Sequence, residues 1–475
     1  MVCWSYHTEM PAATEVQPTG IDLLVAGDWV LTMDRARTMI RDGAVAVDDG
    51  RIVDVGPADE LQRRWRPAYR LGGADRLVMP GLVNGHQHLT GDRLARSTIP
   101  DTISSHQAIF DWAVPLHAAH TPADEELSAT LGLVDAATKG VTFTVEAGTV
   151  GHPERVLAAF DRVGVGGTLG TWGSDSDGLP FAGDVAAVLD RQRQVLELTA
   201  GHPRVAGWVT LVGHDLMSDE LVVTASRAAS AAGTALTFHL SPTDADATAY
   251  LARTGHRPVE HLEALGVLGD HVLIAHGLHL DDAELDILVR TGTALAACPW
   301  AYLRLAQGAS KAGRHAEFVE RGGRLAIGCD AENAGDAVDV LRAAALAVGL
   351  ARDGGAAPVR FSAHAALELA TIAGAQAIGL GDEVGSLEVG KRADVVVVDT
   401  SGPGWTPPSA DPVIGLIWGG GGASVRDVVA SGRVVVEDRR CLTVDAGALR
   451  DEAQEASERL LHDAGLDPRP AWPVR

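Results

Sequence analysis

Three histidines and one aspartate are the residues best suited to chemistry in this sequence, and each follows or ends a short apolar run. His86 and His88 form a His-x-His pair after "PGLVNG", His239 follows "ALTF", and Asp330 follows "LAIGC". Residues i and i+2 of a strand point to the same face, so His86 and His88 can bind one ion together. Imidazole and carboxylate groups are ligands of Zn²⁺ and Fe²⁺. The pattern predicts a metal centre of His86, His88, His239 and Asp330.

The elements around these residues alternate between short apolar runs and Ala/Leu-rich amphipathic segments. Eight runs resemble strands: "RLVMPGLVNGHQH", "GVTFTVEAGT", "VGGTLGTWGSD", "VAGWVTLVGHD", "TALTFHLSPT", "HVLIAHGLHL", "GTALAACPWAY" and "GRLAIGCDAEN". This alternation predicts an α/β fold, a (β/α)8 TIM barrel whose chemistry lies where the strands end. An open doubly wound sheet is the alternative, but no GxGxxG follows the first strand.

Taken singly, the four residues have ordinary structural interpretations. His239 could be a hydrogen-bonded core histidine, and Asp330 could cap the following helix. Together they fall on the first, fifth and eighth of the strand-like runs, which open at the same barrel mouth. This coincidence favours the metal centre.

The two ends of the chain contain β-rich segments that predict a second domain. "DLLVAGDWVLT" and "AVAVDDGRIVDVG" lie near the start, and "ADVVVVDT" and "VRDVVASGRVVVEDRR" lie near the end, with turns expected at Asp49-Gly50 and Ser431-Gly432. We expect an N-terminal extension at 1–20 and a composite β-sandwich domain from 21–78 and 388–445. The barrel is expected at 79–387, and a C-terminal helix and tail at 446–475.

Composition limits the classes of partner. The chain has 475 residues and a formal net charge of -24, which opposes binding to nucleic acid or anionic membranes. No long uncharged apolar stretch or secretory signal is evident, so no membrane span is expected. Cys3, Cys298, Cys329 and Cys441 form no CxxC pair, which argues against a thiolate zinc site or a disulfide framework. A cytoplasmic protein with a small-molecule substrate fits best.

Longer motifs strengthen the metal prediction. "VMPGLVNGHQH" (78–88), "LIAHGLHLDDAEL" (273–285), "LAIGCD" (325–330) and "GSLEVGKRADVVVVD" (385–399) occur in order along the chain. The sequence thereby resembles the amidohydrolase superfamily over most of its length. It is most similar to the branch of S-adenosylhomocysteine deaminases, guanine deaminases and triazine chlorohydrolases. The resemblance implies that His86, His88, His239 and Asp330 are metal ligands and that His276 is a catalytic histidine near the bound water.

The positions of the lysines indicate how many metal ions the site binds. Some relatives use two ions bridged by a carbamylated lysine, but Lys139, Lys311 and Lys391, the only lysines, are not placed at a suitable strand end. We therefore expect one divalent ion, Zn²⁺ with Fe²⁺ as the alternative. Glu146 ends the second run and could serve as a bridging carboxylate or, as we favour, as a substrate-binding acid.

The expected mechanism uses a metal-activated water. A divalent ion lowers the pKa of bound water from ~15.7 towards ~7. Asp330 would accept a proton from that water, and His276 would stabilise charge on the attacked group. Deaminases of the branch have a glutamate three residues after the third metal-binding histidine, whereas this chain has Pro242. Asp244, Asp246 or Glu332 could replace that acid.

Other positions bear on specificity. His214, in "LVGHD", matches a substrate-contacting histidine of the branch. Trp172 lies near the position of a substrate-binding arginine in S-adenosylhomocysteine deaminases. Trp300 and Tyr302 replace part of a polar stretch. These three aromatic residues either line the pocket or pack in the core.

The sequence thus predicts a hydrolase that cleaves a C–N bond of a small heterocyclic or amidine-like molecule, with deamination as the leading reaction. Amide or halide-displacing hydrolysis needs the same activated water and stays open. A metal-binding but catalytically silent relative is the alternative from another class. Relatives of this branch also suggest a homo-oligomer.

Overall fold

The computed structural model describes residues 18–91 and 93–474, so Cys3 and nearly all of the expected N-terminal extension lie outside the described residues. In chain order the strands are β1 (Thr19–Leu31), β2 (Met39–Asp48), β3 (Arg51–Pro57), β4 (Trp65–Pro80), β5 (Leu82–Gln87), β6 (Val141–Glu146), β7 (Gly166–Leu169), β8 (Val205–Gly207), β9 (Val209–Gly213), β10 (Leu236–Leu240), β11 (Val272–His276), β12 (Ala294–Ala297), β13 (Leu325–Ile327), β14 (Val395–Asp399), β15 (Val425–Ala430), β16 (Arg433–Glu437) and β17 (Arg440–Cys441).

Helices fill most of the segments between these strands. They are α1 (Ala58–Arg64), α2 (Ser105–Gln107), α3 (Val114–Ala119), α4 (Pro122–Thr138), α5 (Pro153–Val163), α6 (Val185–Leu198), α7 (Asp219–Ala232), α8 (Ala245–Thr254), α9 (Pro258–Ala264), α10 (Asp282–Thr291), α11 (Pro299–Arg304), α12 (Ala309–Ala312), α13 (His315–Glu320), α14 (Glu332–Gly335), α15 (Val340–Asp353), α16 (Ala363–Ala370), α17 (Ile372–Ala377), α18 (Pro412–Gly415) and α19 (Arg450–Asp463). Short 3-10 or π-helical turns occupy Arg93–Ala95, Ala108–Ala113, Pro403–Trp405, Leu416–Gly420 and Gly422–Ser424. Within the described part of the chain, we find no helix with the length and hydrophobicity needed to cross a membrane.

Strands from both chain ends form one sheet of eight strands within the described residues, in the order β17-β16-β15-β14-β4-β1-β2-β3. The sheet is antiparallel except between β1 and β4. The turns at Asp49-Gly50 and Ser431-Gly432 have positive φ at both residues, which the twist of a tight hairpin requires. The predicted small β domain is confirmed as a composite of both ends; its domain boundaries stay a prediction.

The barrel consists of two parallel sheets, β5-β6-β7-β8 and β9-β10-β11-β12-β13. Strands β8 and β9 are halves of one barrel strand, interrupted at Trp208. The barrel closes between β5 and the end of β13, where the backbone N–H groups of Cys329 and Asp330 donate to His86 O, each at 3.0 Å. All eight strand-like runs of the sequence become barrel strands, so the predicted TIM barrel is confirmed.

Local sequence signals explain how the helices begin and end. Ser218 accepts a hydrogen bond from Leu221 N before α7, and Gly233 ends that helix at φ 64°. Thr121 and Asp124 form a reciprocal capping box before α4, the helix that follows the first barrel strand. Such caps define the ends of these two helices within the alternation of strands and helices.

Candidate metal centre

The four predicted ligands converge at the barrel mouth, although they come from three separate strands. Asp330 Oδ1 lies 3.3 Å from His88 Nε2 and 3.5 Å from His86 Nε2. His239 Nε2 lies 3.2 Å from His88 Nε2. These separations are those of ligand atoms around a common ion, which would lie about 2 Å from each of them.

Hydrogen bonds on the far side of the rings define which atoms face the centre. His239 Nδ1–H donates to Val212 O at 2.8 Å, and His88 Nδ1 shares a hydrogen bond with Thr149 Oγ1 at 2.9 Å. A neutral His239 therefore presents the lone pair of its Nε2 towards His88 Nε2 at the centre. His88 Nε2 lies within 3.3 Å of both His239 Nε2 and Asp330 Oδ1, so two imidazole nitrogens and one carboxylate oxygen are grouped together. The donor set therefore fits a divalent ion with nitrogen and oxygen ligands.

The backbone at the strand ends is unusual at the same positions. Asp330 has φ 61° and His276 has φ 77°, both in the left-handed region that non-glycine residues rarely adopt. A Cβ on Gly328 would lie 2.8 Å from His86 Cβ, so only glycine leaves room for the ligand-bearing strand. Non-glycine residues held in this region store local strain, which is common where side chains must be aimed at a site.

The electrostatic surroundings favour the metal-binding protonation states of the predicted ligands. Burial lowers the pKa of His239 well below its ordinary value, and the neighbouring histidines lower it further. Burial raises the pKa of Asp330, but hydrogen bonds from His86 and His88 outweigh it and hold that pKa well below its usual range. Neutral imidazoles beside an ionised carboxylate are the forms that bind a metal.

His276, the predicted catalytic histidine, ends β11 beside the ligands. Its ring centroid lies 5.5 Å from that of His239 and 5.6 Å from that of His86. Burial lowers the pKa of His276 to about 3, so the ring is neutral near pH 7. The ring packs edge-on against Tyr302, and His315 Nε2–H donates to His276 O at 2.6 Å. His276 is thus held close to the centre.

The ring of His214 stacks on that of His239, with 5.7 Å between the ring centroids. Its Nδ1–H donates to Asp246 Oδ2 at 2.9 Å. The same oxygen accepts the backbone N–H of Ser241 at 2.6 Å. Of the three acids that could replace a glutamate at Pro242, Asp246 is the one bonded to this histidine; Asp244 is exposed, and Glu332 pairs with Arg93 at 2.5 Å.

Glu146 ends β6 and is fully buried. Its Oε2 accepts the N–H of Gly148 at 2.7 Å, and its Oε1 has no hydrogen-bond partner among the described residues. Burial raises the pKa of Glu146 to about 7. An unpartnered buried oxygen is costly, so the geometry leaves Glu146 available to a ligand. Its bridging and substrate-binding roles both stay predictions.

The three aromatic candidates occupy different places. Trp172 is buried, and His117 bridges it to the metal centre, with ring centroids 5.3 Å from Trp172 and 6.4 Å from His88. Tyr302 accepts the N–H of Cys298 through its hydroxyl at 2.9 Å while its ring packs on His276. Trp300 instead lines a cavity of about 500 Å³ beside α15 and the Gly419–Gly421 segment, and none of the four ligands lines that cavity.

His117 was not predicted from the sequence. It lies on α3, away from any strand end, so the positional argument that identified the other histidines does not apply to it. It is 7% exposed, and burial lowers its pKa well below the ordinary value. Only the packing of α3 across the barrel mouth brings it next to Trp172.

The fold and the centre together define a metal-dependent hydrolase built on a TIM barrel with a composite β domain. Residues 77–435 match the model of the Amidohydrolase family, and residues 43–68 match that of an Imidazolonepropionase-like composite domain of bacteria. Because the first match spans most of the chain, this protein belongs to the amidohydrolase family. It is a hydrolase that uses a metal ion to cleave C–N bonds.

Individual proteins extend this similarity over nearly the full length. The 5-methylthioadenosine/S-adenosylhomocysteine deaminase of Syntrophobacter fumaroxidans is 29% identical over 443 residues, which are 91% of this chain and 96% of that protein. An adenosine deaminase from Xanthomonas campestris with bound zinc has a TM-score of 0.88 and 26% identity, covering 94% of this chain and 100% of that one. Atrazine chlorohydrolase from Arthrobacter aurescens, complexed with zinc, has a TM-score of 0.81 at 22% identity, covering 92% and 100%, and shares the fold.

Proposed function

We propose that this enzyme deaminates a small amino-substituted heterocycle or amidine, using one Zn²⁺ held by His86, His88, His239 and Asp330. The observation that carries the proposal is the grouping of three possible ligand atoms, with His88 Nε2 3.2 Å from His239 Nε2 and 3.3 Å from Asp330 Oδ1. Bound zinc in the similar adenosine deaminase supports Zn²⁺ over Fe²⁺. When bound, such an ion lowers the pKa of a water ligand towards ~7.

The protein groups around that position divide the proton transfers between them. Asp330 is ionised, so it can accept the proton of the attacking water. His276 is neutral, so it can stabilise charge that develops on the attacked carbon's substituents through one hydrogen bond. In the overall reaction a C–O bond forms, the C–N bond breaks, and the nitrogen leaves as ammonia after gaining a proton.

His214 and Asp246 replace the glutamate that is absent at Pro242. Asp246 fixes His214 in the tautomer that presents Nε2 away from the carboxylate. A histidine oriented by a carboxylate can pass a proton to a ring nitrogen or to the leaving group. The pKa of His214 supports this pairing. Burial lowers that pKa, but the Asp246 carboxylate has the larger opposite effect, so the pKa is raised overall.

The substrate class follows from the pocket and the relatives. The deaminases similar to this chain act, by their names, on methylthioadenosine and S-adenosylhomocysteine, which favours an aminopurine-like ring. Trp172 and His117 provide an aromatic wall beside His88 that suits such a ring. Because the acid at Pro242 is missing, substrates with a better leaving group are the second candidates, including chlorinated triazines.

The test is a screen of the zinc-loaded enzyme for ammonia release over adenosine derivatives, guanine, pterins, amidines and aminotriazines. Chloride and carboxylate release from chlorotriazines and amides are followed in parallel. We expect ammonia from one class and none from a His276→Asn variant that retains its metal. Chloride or amide cleavage without ammonia would favour the alternative hydrolase, and a metal-loaded protein without any turnover would favour the silent relative.

A further inference from the structure

A second group of possible ligands lies beside the first and includes a cysteine that the reaction above does not use. His276, Cys298 and Asp330 each offer a ligand atom, and these atoms lie within 4.8 Å of one another. The three residues follow or end neighbouring strands: β11, β12 and β13. The strand order of the barrel therefore places them side by side at the mouth.

The thiol of Cys298 is fully buried and directed into this corner. A Cβ on Gly328 would lie 2.9 Å from Cys298 Sγ, so the glycine between the two sets of ligands leaves the room that the sulfur occupies. The contact of Sγ with Ala296 O is 3.8 Å long, which is a weak hydrogen bond. The side chain is thus available to a stronger partner.

His276 supplies an independent indication of a ligand. Its Nδ1 is buried and has no hydrogen-bond partner among residues 18–91 and 93–474, and the residue is 4% exposed. Buried polar atoms are nearly always paired, so an unpaired nitrogen next to a thiol and a carboxylate calls for an explanation. A cation bound by these three side chains would provide one.

We propose that His276, Cys298 and Asp330 form a second metal site, which takes a thiophilic divalent ion such as Cd²⁺ or excess Zn²⁺ and stops the reaction. Sulfur ligands select soft ions, whereas the nitrogen and oxygen donors of the first centre do not. Binding replaces the thiol proton by the ion and releases that proton to solvent. The occupied site ties up His276 and shares Asp330, which removes the two groups the proposed reaction uses.

The site rests on the proposed function for its inhibitory effect, but its existence is tested by metal binding alone. Protein holding one zinc ion per chain is titrated with Cd²⁺, and bound metal is counted by mass spectrometry after gel filtration. The absorbance of a cadmium–thiolate bond is recorded in the same samples. We expect a second ion with a thiolate signal in the unaltered protein, and neither in Cys298→Ser.

Cys441→Ser is the matched control, because Cys441 is a partly exposed thiol in the β domain, on β17. It should keep the second ion. Loss of a group that only hydrogen-bonds to a metal ligand already weakens metal binding about 10-fold to 100-fold. Loss of the ligand itself in Cys298→Ser should therefore raise the inhibition constant for excess Zn²⁺ by at least ~10-fold. Cys298→Ala serves if the serine variant misfolds.

X-ray absorption at the cadmium edge identifies the atoms that coordinate the second ion in the unaltered protein. We expect sulfur to be among them. The proposal is overturned if the unaltered protein takes up no second ion, if that ion has no sulfur neighbour, or if Cys298→Ser binds it equally well. One bound zinc with turnover but no second ion would leave the proposed function intact. A protein that binds no first ion would overturn the proposed function instead.

Discussion

Asp246 accepts a hydrogen bond from His214 Nδ1 at 2.9 Å and thereby joins the start of α8 to the end of the fourth barrel strand. Ser241 N donates to the same oxygen, and Tyr250 donates to His214 O at 2.9 Å. The pair is therefore held from both sides. It occupies the part of the mouth where Pro242 lacks an acid, and its consequences can be measured.

Asp246→Asn should lower kcat by about 10²- to 10⁴-fold, the range in which positioned acid–base groups contribute. The amide can still accept one hydrogen bond, but it no longer favours the charged form of His214. We expect KM and bound zinc to change little. Asp244→Asn is the control, because Asp244 is exposed directly before α8 and makes no side-chain cap bond to that helix. Equal losses in both variants would contradict a specific role for Asp246.

Pro242→Glu in the Asp246→Asn background should restore part of the lost activity. A glutamate at this position lies three residues after His239, where the related deaminases have their acid. If His214 and Asp246 replace that acid, then supplying it makes the pair less necessary. Comparison of kcat for the single and double variants gives the answer, with thermal unfolding as a check on the buried position. A double variant as inactive as Asp246→Asn alone would argue that the pair acts differently.

His239→Ala and His276→Asn should separate metal binding from catalysis. His239 Nε2 contacts His88 Nε2, so its removal opens the centre, and we expect loss of most bound zinc together with activity. His276→Asn should keep the ion, because the remaining set of His86, His88, His239 and Asp330 is complete. Zinc content and turnover are measured on the same preparations. A fully active His276→Asn variant would refute the role assigned to that histidine.

The sequence predicted the barrel because it follows from short-range patterns, and the same patterns predict four candidate ligands at its mouth. Strand runs ending in His-x-His, His and Asp determine where those side chains must lie once the strands close into a barrel. His117 and the His214–Asp246 bond could not be predicted in this way. They depend on how α3 and the start of α8 pack at the mouth, and no periodicity in the sequence encodes that packing. Closeness in sequence does not place Trp300 and Tyr302 in one environment. Tyr302 lies against His276, whereas Trp300 faces another cavity.

Glu146→Gln should stabilise the metal-free protein at alkaline pH. Burial raises the pKa of Glu146 to about 7, above its ordinary 4.5, so the fold favours the protonated form. That contribution is complete below pH 4.5 and is lost as the pH rises through 7. A pKa shift of one unit corresponds to about 1.4 kcal/mol. The free energy of unfolding of the unaltered protein should therefore fall by about 2 to 3 kcal/mol between pH 5 and pH 8 because of this group, and that of the variant should not.

Urea unfolding of both proteins at the two pH values measures the difference. Glutamine retains an oxygen for Gly148 N–H, so the hydrogen bond is preserved. Glu154→Gln, an exposed change on α5, is the control and should leave the pH dependence unaltered. A parallel pH dependence of stability in the Glu146→Gln variant and the unaltered protein would mean that Glu146 is ionised in the fold throughout this range.

Trp172→Phe should weaken substrate binding, whereas Trp300→Phe should not. Trp172 Nε1 is buried without a hydrogen-bond partner in the described part of the chain, next to His117 at the centre. If this N–H binds the substrate, its removal costs about 0.5 to 1.5 kcal/mol, a rise in KM of about 2- to 12-fold. Phenylalanine keeps an aromatic face, so kcat should change less than KM. Trp300 lines the outer cavity, and the same substitution there should leave KM within error. A rise in KM for Trp300→Phe alone would place the substrate in that cavity and contradict the pocket proposed here.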